Sequence, residues 1–269
     1  MKTILQSVRA KAPLIHSITN YVTVNDVANI LLACGASPIM ADDAGEAAEI
    51  TALCGGLNIN IGTLNRNTIP AMFLAGKKAN ELGHPVLLDP VGAGASALRT
   101  QTALELMRKV RLTAIRGNIS EIQTLYRGTG NTKGVDAAAA DAVREDNLAA
   151  SVALLKAFAG QTGCILAATG AIDLVCDAHT CYVIRNGRPE MGRITGTGCQ
   201  LSGLMTACLT ANPDQPLKAA AAAVCAMGLA GELAWRPGMG NVSYRGAIID
   251  AVCNMTGEML ESGAKYELR

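Results

Sequence analysis

The sequence predicts an α/β fold: a mostly parallel sheet with helices on both faces, in a single domain covering residues 1–269. Three observations predict it. Short apolar runs alternate with segments of helical spacing along most of the chain, the order that places a parallel sheet between two layers of helix. The run Val86–Leu88 is too short for a helix and ends at Asp89, as suits a strand buried on both faces. No linker-like change of composition and no repeat of fixed period interrupts the pattern. Half of the 269 residues are hydrophobic and 17% are charged, enough for a sizeable core and unlike a disordered chain.

The elements follow in order. "VTVNDVANILLACG" spaces Val24, Val27, Ile30 and Leu31 as one helix face and stops at Gly35. "SPIMADD" is a short strand running into acidic residues, "AGEAAEITAL" a helix, and "LNINIGTL" an alternating strand. "TIPAMFLAGKKANELG" is a helix closed by glycine, and "PVLLDPVGAG" a strand with a glycine-rich exit. "ALRTQTALELMRKV" is helical, "RLTAIRGN" a strand, and "ISEIQTLY" a short helix. The alanine-rich stretch from Gly128 to Asp146 reads as a loop. "LAASVALLKAFAG" is a helix and "CILAATG" a strand, whereas "DLVCD" and "CYVIRNG" pair as a hairpin, giving the sheet an antiparallel edge. The remainder reads mostly as helix.

Composition excludes several classes of function. The net charge is +1 with no long basic run, which argues against nucleic acid or a polybasic membrane surface as partner. The apolar run Ala219–Gly231 falls short of the ~20 residues a membrane span needs and reads as a buried helix. The nine cysteines include no CxxC, and several sit in apolar runs as small hydrophobes. With no signal peptide, the reduced cytoplasm is the expected setting. Three scattered histidines do not suggest a histidine zinc site.

Polar residues collect at five strand ends, where open α/β sheets bind ligands: Met40–Asp43, Asn60–Thr63, Asp89–Gly94, Arg116–Glu121 and Thr169–Gly170. Asp89 in "DPVGAG" is a candidate acid or a helix cap. In "RGNISEI", Glu121 is a candidate for Mg²⁺, but Asn118 and Glu121 also have capping-box spacing. Arg116 suits phosphate oxygens or a surface ion pair, and Thr169 offers a hydroxyl in a short turn. In "ITGTGCQLSG", Gly196, Thr197, Gly198 and Cys199 precede an apolar helix and form a candidate anion hole. Neither the GxxxxGK[ST] nor the GxGxxG phosphate motif describes it. Cys199 is either packing or a thiol whose pKa the helix start and nearby cations should depress.

Taken together, "SITNYV", "NINIGTL", "DPVGAG", "RGNISEI" and "TGTGC" resemble the hydroxyethylthiazole kinases of the ribokinase-like superfamily, over about Pro13 to Ala251. The resemblance implies a three-layer αβα sandwich without a separate lid domain. It also implies ATP-dependent phosphorylation of the primary alcohol of 4-methyl-5-(2-hydroxyethyl)thiazole in thiamine salvage, Mg²⁺, and a homotrimer with sites between subunits. Met40, Asn20 and Gly196 match substrate positions, Arg116 and Thr169 match ATP contacts, and Asp89 and Glu121 match the metal-organising acids. Cys199 matches the position of the catalytic aspartate in ribokinase relatives. Two other readings compete: a kinase of another heterocyclic alcohol, pyridine or pyrimidine, and a nucleotide-binding module without catalysis.

Overall fold

Residue parity within the short strands decides which side chains meet which helices. A computed structural model describes residues 1–128 and 142–269; most of the stretch read as a loop, residues 129–141, lies outside them. The strands are β1 (Leu14–Ile18), β2 (Ser37–Ile39), β3 (Gly56–Asn60), β4 (Val86–Asp89), β5 (Ala114–Asn118), β6 (Ile165–Thr169), β7 (Asp173–Cys176), β8 (Cys181–Ile184) and β9 (Tyr266–Leu268). They form one sheet in the order β2-β1-β3-β4-β5-β6-β7-β8-β9. The first six strands pair in parallel and the last three antiparallel.

Two apolar cores flank the sheet. One is shared with α3 (Ala47–Leu53), α4 (Thr68–Leu82), α5 (Ala97–Lys109), α6 (Ile119–Arg127) and α7 (Leu148–Thr162). The other is shared with α1 (Lys2–Lys11), α2 (Val24–Cys34), α8 (Thr197–Ala211), α9 (Pro216–Ala234), α10 (Asn241–Asn254) and α11 (Gly257–Gly263). Strand side chains alternate between these cores. Leu57 and Ile59 of β3, Leu88 of β4 and Ile115 of β5 face the first. Asn60, Asp89 and Arg116 therefore face α8 from three neighbouring parallel strands, with Asn60 and Asp89 directly paired in register. Thr169 ends β6 on the same side. The strand ends thus deliver a polar row under the start of α8.

The αβα reading holds, with three corrections. Two elements, α1 and β1, precede the first helix read from the sequence, and the C-terminus adds strand β9 against β8. The apolar helix α9 is 19 residues long, so length and composition alone would let it cross a membrane; 72% of that span is instead buried inside the protein. Its run Ala219–Ala223 has no exposed residue, and such small side chains let neighbouring helices approach closely. Cys176 and Cys181, expected as unpaired filler, are joined by a disulfide. Antiparallel register places them opposite each other at the turn end of the β7–β8 hairpin, an adjacency that their five-residue separation does not reveal.

Candidate active site

The site is assembled from loops leaving β1, β3, β4, β5 and β6 and from the first turn of α8. Gly196 is the N-cap of α8 and adopts φ 94°, and no side chain caps the helix. Its left-handed backbone favours glycine, and a Cβ there would lie 2.5 Å from Thr23 Cγ2. The uncapped first turn, Thr197–Cys199, keeps its amide groups available to an anion. Gly198 is required for a different reason. A Cβ on it would stand 2.5–2.9 Å from the guanidinium of Arg116, so its lack of a side chain lets that cation lie against the helix start.

Arg116 Nη2 donates to Thr169 Oγ1 at 2.7 Å, and Nη1 makes a loose ion pair with Asp89 at 3.4 Å. Its Nε is buried without a hydrogen-bond partner among the described residues. Asp89 is fully buried. Its Oδ2 accepts from Asn60 Nδ2 and from Ser202 Oγ, both at 2.8 Å; among the described residues Oδ1 meets only Arg116, at 3.5 Å. Burial nevertheless outweighs these partners and holds its carboxyl above the usual carboxylate range.

Glu121 realises the capping box anticipated from its spacing. Asn118 Oδ1 accepts from the Glu121 amide, and Glu121 Oε2 accepts from the Asn118 amide, each at 2.8 Å. A second tie was not foreseen: Glu121 Oε1 accepts from the Gly92 amide at 2.8 Å, clamping the "DPVGAG" loop to α6. Burial, and then the charge of Asp89, push Glu121 up to about 7. Among the described residues, no group of three or more His, Cys, Asp or Glu is placed to hold a metal.

Cys199 is half-buried in the first turn of α8. Its Sγ accepts from Asn20 Nδ2 at 3.2 Å and from Asn60 Nδ2 at 3.3 Å. The expected depression of its pKa is corrected here. Burial pushes the thiol up, and the charge of Asp89 adds to that; hydrogen bonds from Thr23 and Asn20 and the charge of Arg116 oppose without prevailing.

Asn20, Arg116, Thr169, Asp89, Cys199 and the Gly196–Gly198 turn therefore form one cluster, with Glu121 tied to it through Gly92. Met40 stands outside the hydrogen-bonded part, half-buried beyond β2 at the sheet edge and packed on the same core as Cys199. A cavity of about 480 Å³ opens beside Arg116, Thr169 and Gly198 and is also lined by Arg188 and Met227. Asn60 was noted from the sequence only as the start of a polar strand exit, without a role, and Ser202 was not singled out. Strand parity identifies Asn60, and the spacing of three from Cys199 places Ser202 near the same helix face.

Solved structures with this fold include the pyridoxal kinase from Staphylococcus aureus in complex with AMP-PCP and pyridoxal, at a TM-score of 0.63 and 14% identity, covering 96% of this chain and 98% of that one. A closer likeness is the hydroxyethylthiazole kinase protein from Pyrococcus horikoshii OT3, at a TM-score of 0.88 and 34% identity over 99% and 98% of the two chains. In sequence, the hydroxyethylthiazole kinase of Clostridium acetobutylicum is 58% identical over 99% of both chains, and that of Methanosphaerula palustris is 42% identical over 98% and 97%. The family model described as "Hydroxyethylthiazole kinase family" matches residues 5–258. With that span matched and such identities over nearly the full length, this chain belongs to the hydroxyethylthiazole kinase family.

Proposed function

We propose that the protein transfers the γ-phosphoryl group of ATP to the primary alcohol of 4-methyl-5-(2-hydroxyethyl)thiazole, a step of thiamine salvage in the cytoplasm, with the whole chain acting as one folded unit. One observation carries this reading. An uncapped helix start, a half-buried cation and a sulfur that accepts hydrogen bonds converge on one point: Gly198, Arg116 and Cys199. Phosphoryl transfer relies on positioning and on neutralising phosphate charge, and these groups supply both. The cavity beside Arg116 and Thr169 takes ATP, with the unpaired Arg116 Nε–H as one further donor for its phosphates. Asn20, Gly196 and Met40 hold the thiazole alcohol on the other side of Cys199, Met40 offering a polarisable wall to a sulfur heterocycle.

The donor chemistry fits Mg²⁺. Asp89 and Glu121 are two buried carboxyl groups that share one guanidinium, and burial raises both. A hard cation would relieve that surplus of negative charge. Both Glu121 oxygens are engaged by backbone amides, so Asp89 Oδ1 is the least committed donor. Magnesium typically takes one or two carboxylates together with substrate phosphates, and when bound it would neutralise phosphate charge. Cys199 is the proton acceptor for the substrate hydroxyl. Because its thiol is raised, the reactive thiolate is a minority form at neutral pH.

A homotrimer with sites between subunits completes the proposal. Tyr21, Val22 and Leu32, on and before α2, are 76%, 59% and 58% exposed, and Val242 at the start of the adjoining α10 is 72% exposed. Exposed apolar groups on two adjoining helices favour a covered surface. The deciding experiment compares kcat/KM with Mg-ATP for the thiazole alcohol and for pyridine and pyrimidine alcohols. Preference for the thiazole is expected; a specificity constant at least about tenfold higher for another alcohol, or no substrate-dependent ADP release, would overturn the assignment.

A further inference from the structure

Asn60 lies at the end of β3 and is 1% exposed, so its amide serves the interior alone. Amide orientation is usually ambiguous between oxygen and nitrogen, but here the backbone decides it. The Gly62 amide can only donate, and it meets Asn60 Oδ1 at 2.9 Å. Nδ2 must therefore face the opposite way, where its two hydrogens reach Asp89 Oδ2 at 2.8 Å and Cys199 Sγ at 3.3 Å. Asn20 is fixed in the same manner. The Thr23 amide donates to its Oδ1 at 3.1 Å, leaving Nδ2 to donate to Asn60 Oδ1 at 3.0 Å and to Cys199 Sγ at 3.2 Å. The sulfur is thus gripped by two N–H groups from the exits of two neighbouring strands, and the two asparagines brace each other.

We propose that Asn60 is the positioning residue for Cys199: anchored by Asp89 and by the Gly62 turn, it holds the sulfur in the one rotamer that faces the incoming alcohol. This rests on the function proposed above. A cysteine side chain has three staggered rotamers; Thr23 also hydrogen-bonds Cys199, while the two asparagine amides are themselves fixed by backbone donors. Reaction requires the attacking and accepting atoms within ~3–3.5 Å of each other, and a misplacement of about 1 Å costs on the order of 10²-fold. Asp89 does not depend on Asn60 for its own place, since Ser202 and Arg116 hold it as well. Loss of the Asn60 amide should therefore act on turnover through Cys199 and leave ATP binding intact.

The test is a double-mutant cycle of Asn60→Leu and Cys199→Ala, with kcat and both KM values measured by ADP release. Asn60→Leu alone should lower kcat about 10- to 100-fold while KM for ATP stays within about twofold. In the Cys199→Ala background the same change should cost less than about threefold, because residues that act as a unit are not additive. Equal losses in both backgrounds, or a rise in KM for ATP matching the loss of kcat, would overturn the proposal. Where Asn60→Leu fails to fold, Asn60→Ala removes the same two donors without adding a charge beside Asp89, and the same ratios are expected. An arm independent of catalysis measures iodoacetamide alkylation of the Cys199 peptide by mass spectrometry. It uses a Cys253→Ser background, because Cys253 is exposed whereas the other free cysteines are buried. Replacing Asn60 should change this rate by more than about threefold, and an unchanged rate refutes the grip on sulfur. A changed rate in a protein that does not phosphorylate the thiazole would sink the functional reading and leave the positioning role standing.

Discussion

Gly198→Ala separates ATP recognition from stability. The added Cβ would stand 2.5 Å from Arg116 Nη2, 2.6 Å from Nη1 and 2.9 Å from Cζ, whereas comfortable contact begins near ~3.5 Å. The guanidinium must therefore retreat by about 1 Å, which stretches the 2.7 Å bond to Thr169 beyond hydrogen-bonding range and withdraws the cation from the phosphate position. A hydrogen bond to a charged group contributes about 1.5–3 kcal/mol, so KM for ATP should rise by about 10- to 150-fold. Stability should fall less than ATP affinity does, because the bond lost to Thr169 is offset in part by water at the cavity that Arg116 lines and by the helix preference of alanine. The clash is with the far end of a long side chain, and alanine is favoured over glycine in a helix by about 0.5–1 kcal/mol. The assay is steady-state ADP release with ATP varied at saturating thiazole alcohol, alongside thermal denaturation. Gly203→Ala is the control: a Cβ there meets Val27 Cγ1 at 3.1 Å on α2, away from Arg116, so it should spare KM for ATP. A folded Gly198→Ala enzyme whose KM for ATP stays within about twofold of the parent would refute the placement of Arg116 on the phosphates.

Three more outcomes are expected. Glu121→Gln should lose about 1–3 kcal/mol in urea unfolding near pH 5, where the contribution of Glu121 is near its full value, because an NH₂ group would replace an oxygen that accepts from the Gly92 or Asn118 amide; an unchanged midpoint there would deny that both bonds matter. The folded pKa of Glu121, about 7, lies above the ordinary 4.5, so its contribution is complete below that lower value and is lost as pH rises through about 7. Unfolding free energy without ligands should thus fall between pH 5 and 8, and more shallowly in Glu121→Gln; equal slopes would contradict the shift. For Cys199 the raised thiol predicts that kcat climbs with pH above neutrality, that Cys199→Ala loses about 10²–10⁴-fold with its pH dependence, and that Cys199→Asp stays active with a flat profile. A parent profile already flat from pH 6 to 9 would contradict a minority thiolate. Light scattering should return about three times the 27.8 kDa chain mass, and Val242→Glu should dissociate the assembly and lower activity together; a fully active monomer would exclude shared sites.

The layered fold was readable because its elements obey strong local rules. Val27, Ile30, Leu31 and Cys34 are buried along one face of α2, and the helix stops at Gly35 with φ 93°. Val86, Leu87 and Leu88 are all buried, as an unbroken apolar strand requires. The misses lie where the determining contact is distant. The strand Tyr266–Leu268 alternates from exposed to half-buried to exposed and exists because β8 offers it an edge. Helix α1 opens with "KTILQSVRAK", whose buried Ile4, Leu5 and Val8 make only a narrow stripe among polar residues. The Cys176–Cys181 pair depends on hairpin register, which two short runs do not specify.

The candidate site divides along a similar line, and Cys199 shows why. That glycines before an apolar helix make an anion-binding start is a local inference, and α8 begins there as expected. The thiol's ionisation is not local. A helix start and a nearby arginine both favour a thiolate, and the sequence displays both. The opposing influences come from β4, which brings the charge of Asp89 close, and from the burial that α2 and the strand exits impose. A thiol held above its ordinary pKa is not thereby barred from the proton-accepting role proposed for it. Phosphate and a divalent cation on the Asp89 side would change the charge that Cys199 feels, and a largely dissociative transfer needs little proton removal before the phosphoryl group has moved. The two amides on sulfur fit this account, because N–H donors stabilise charge as it develops and cost little while the thiol is neutral. Replacing Asn60 should therefore slow turnover far more than it weakens substrate binding, a separation that burial of an inert packing cysteine would not produce.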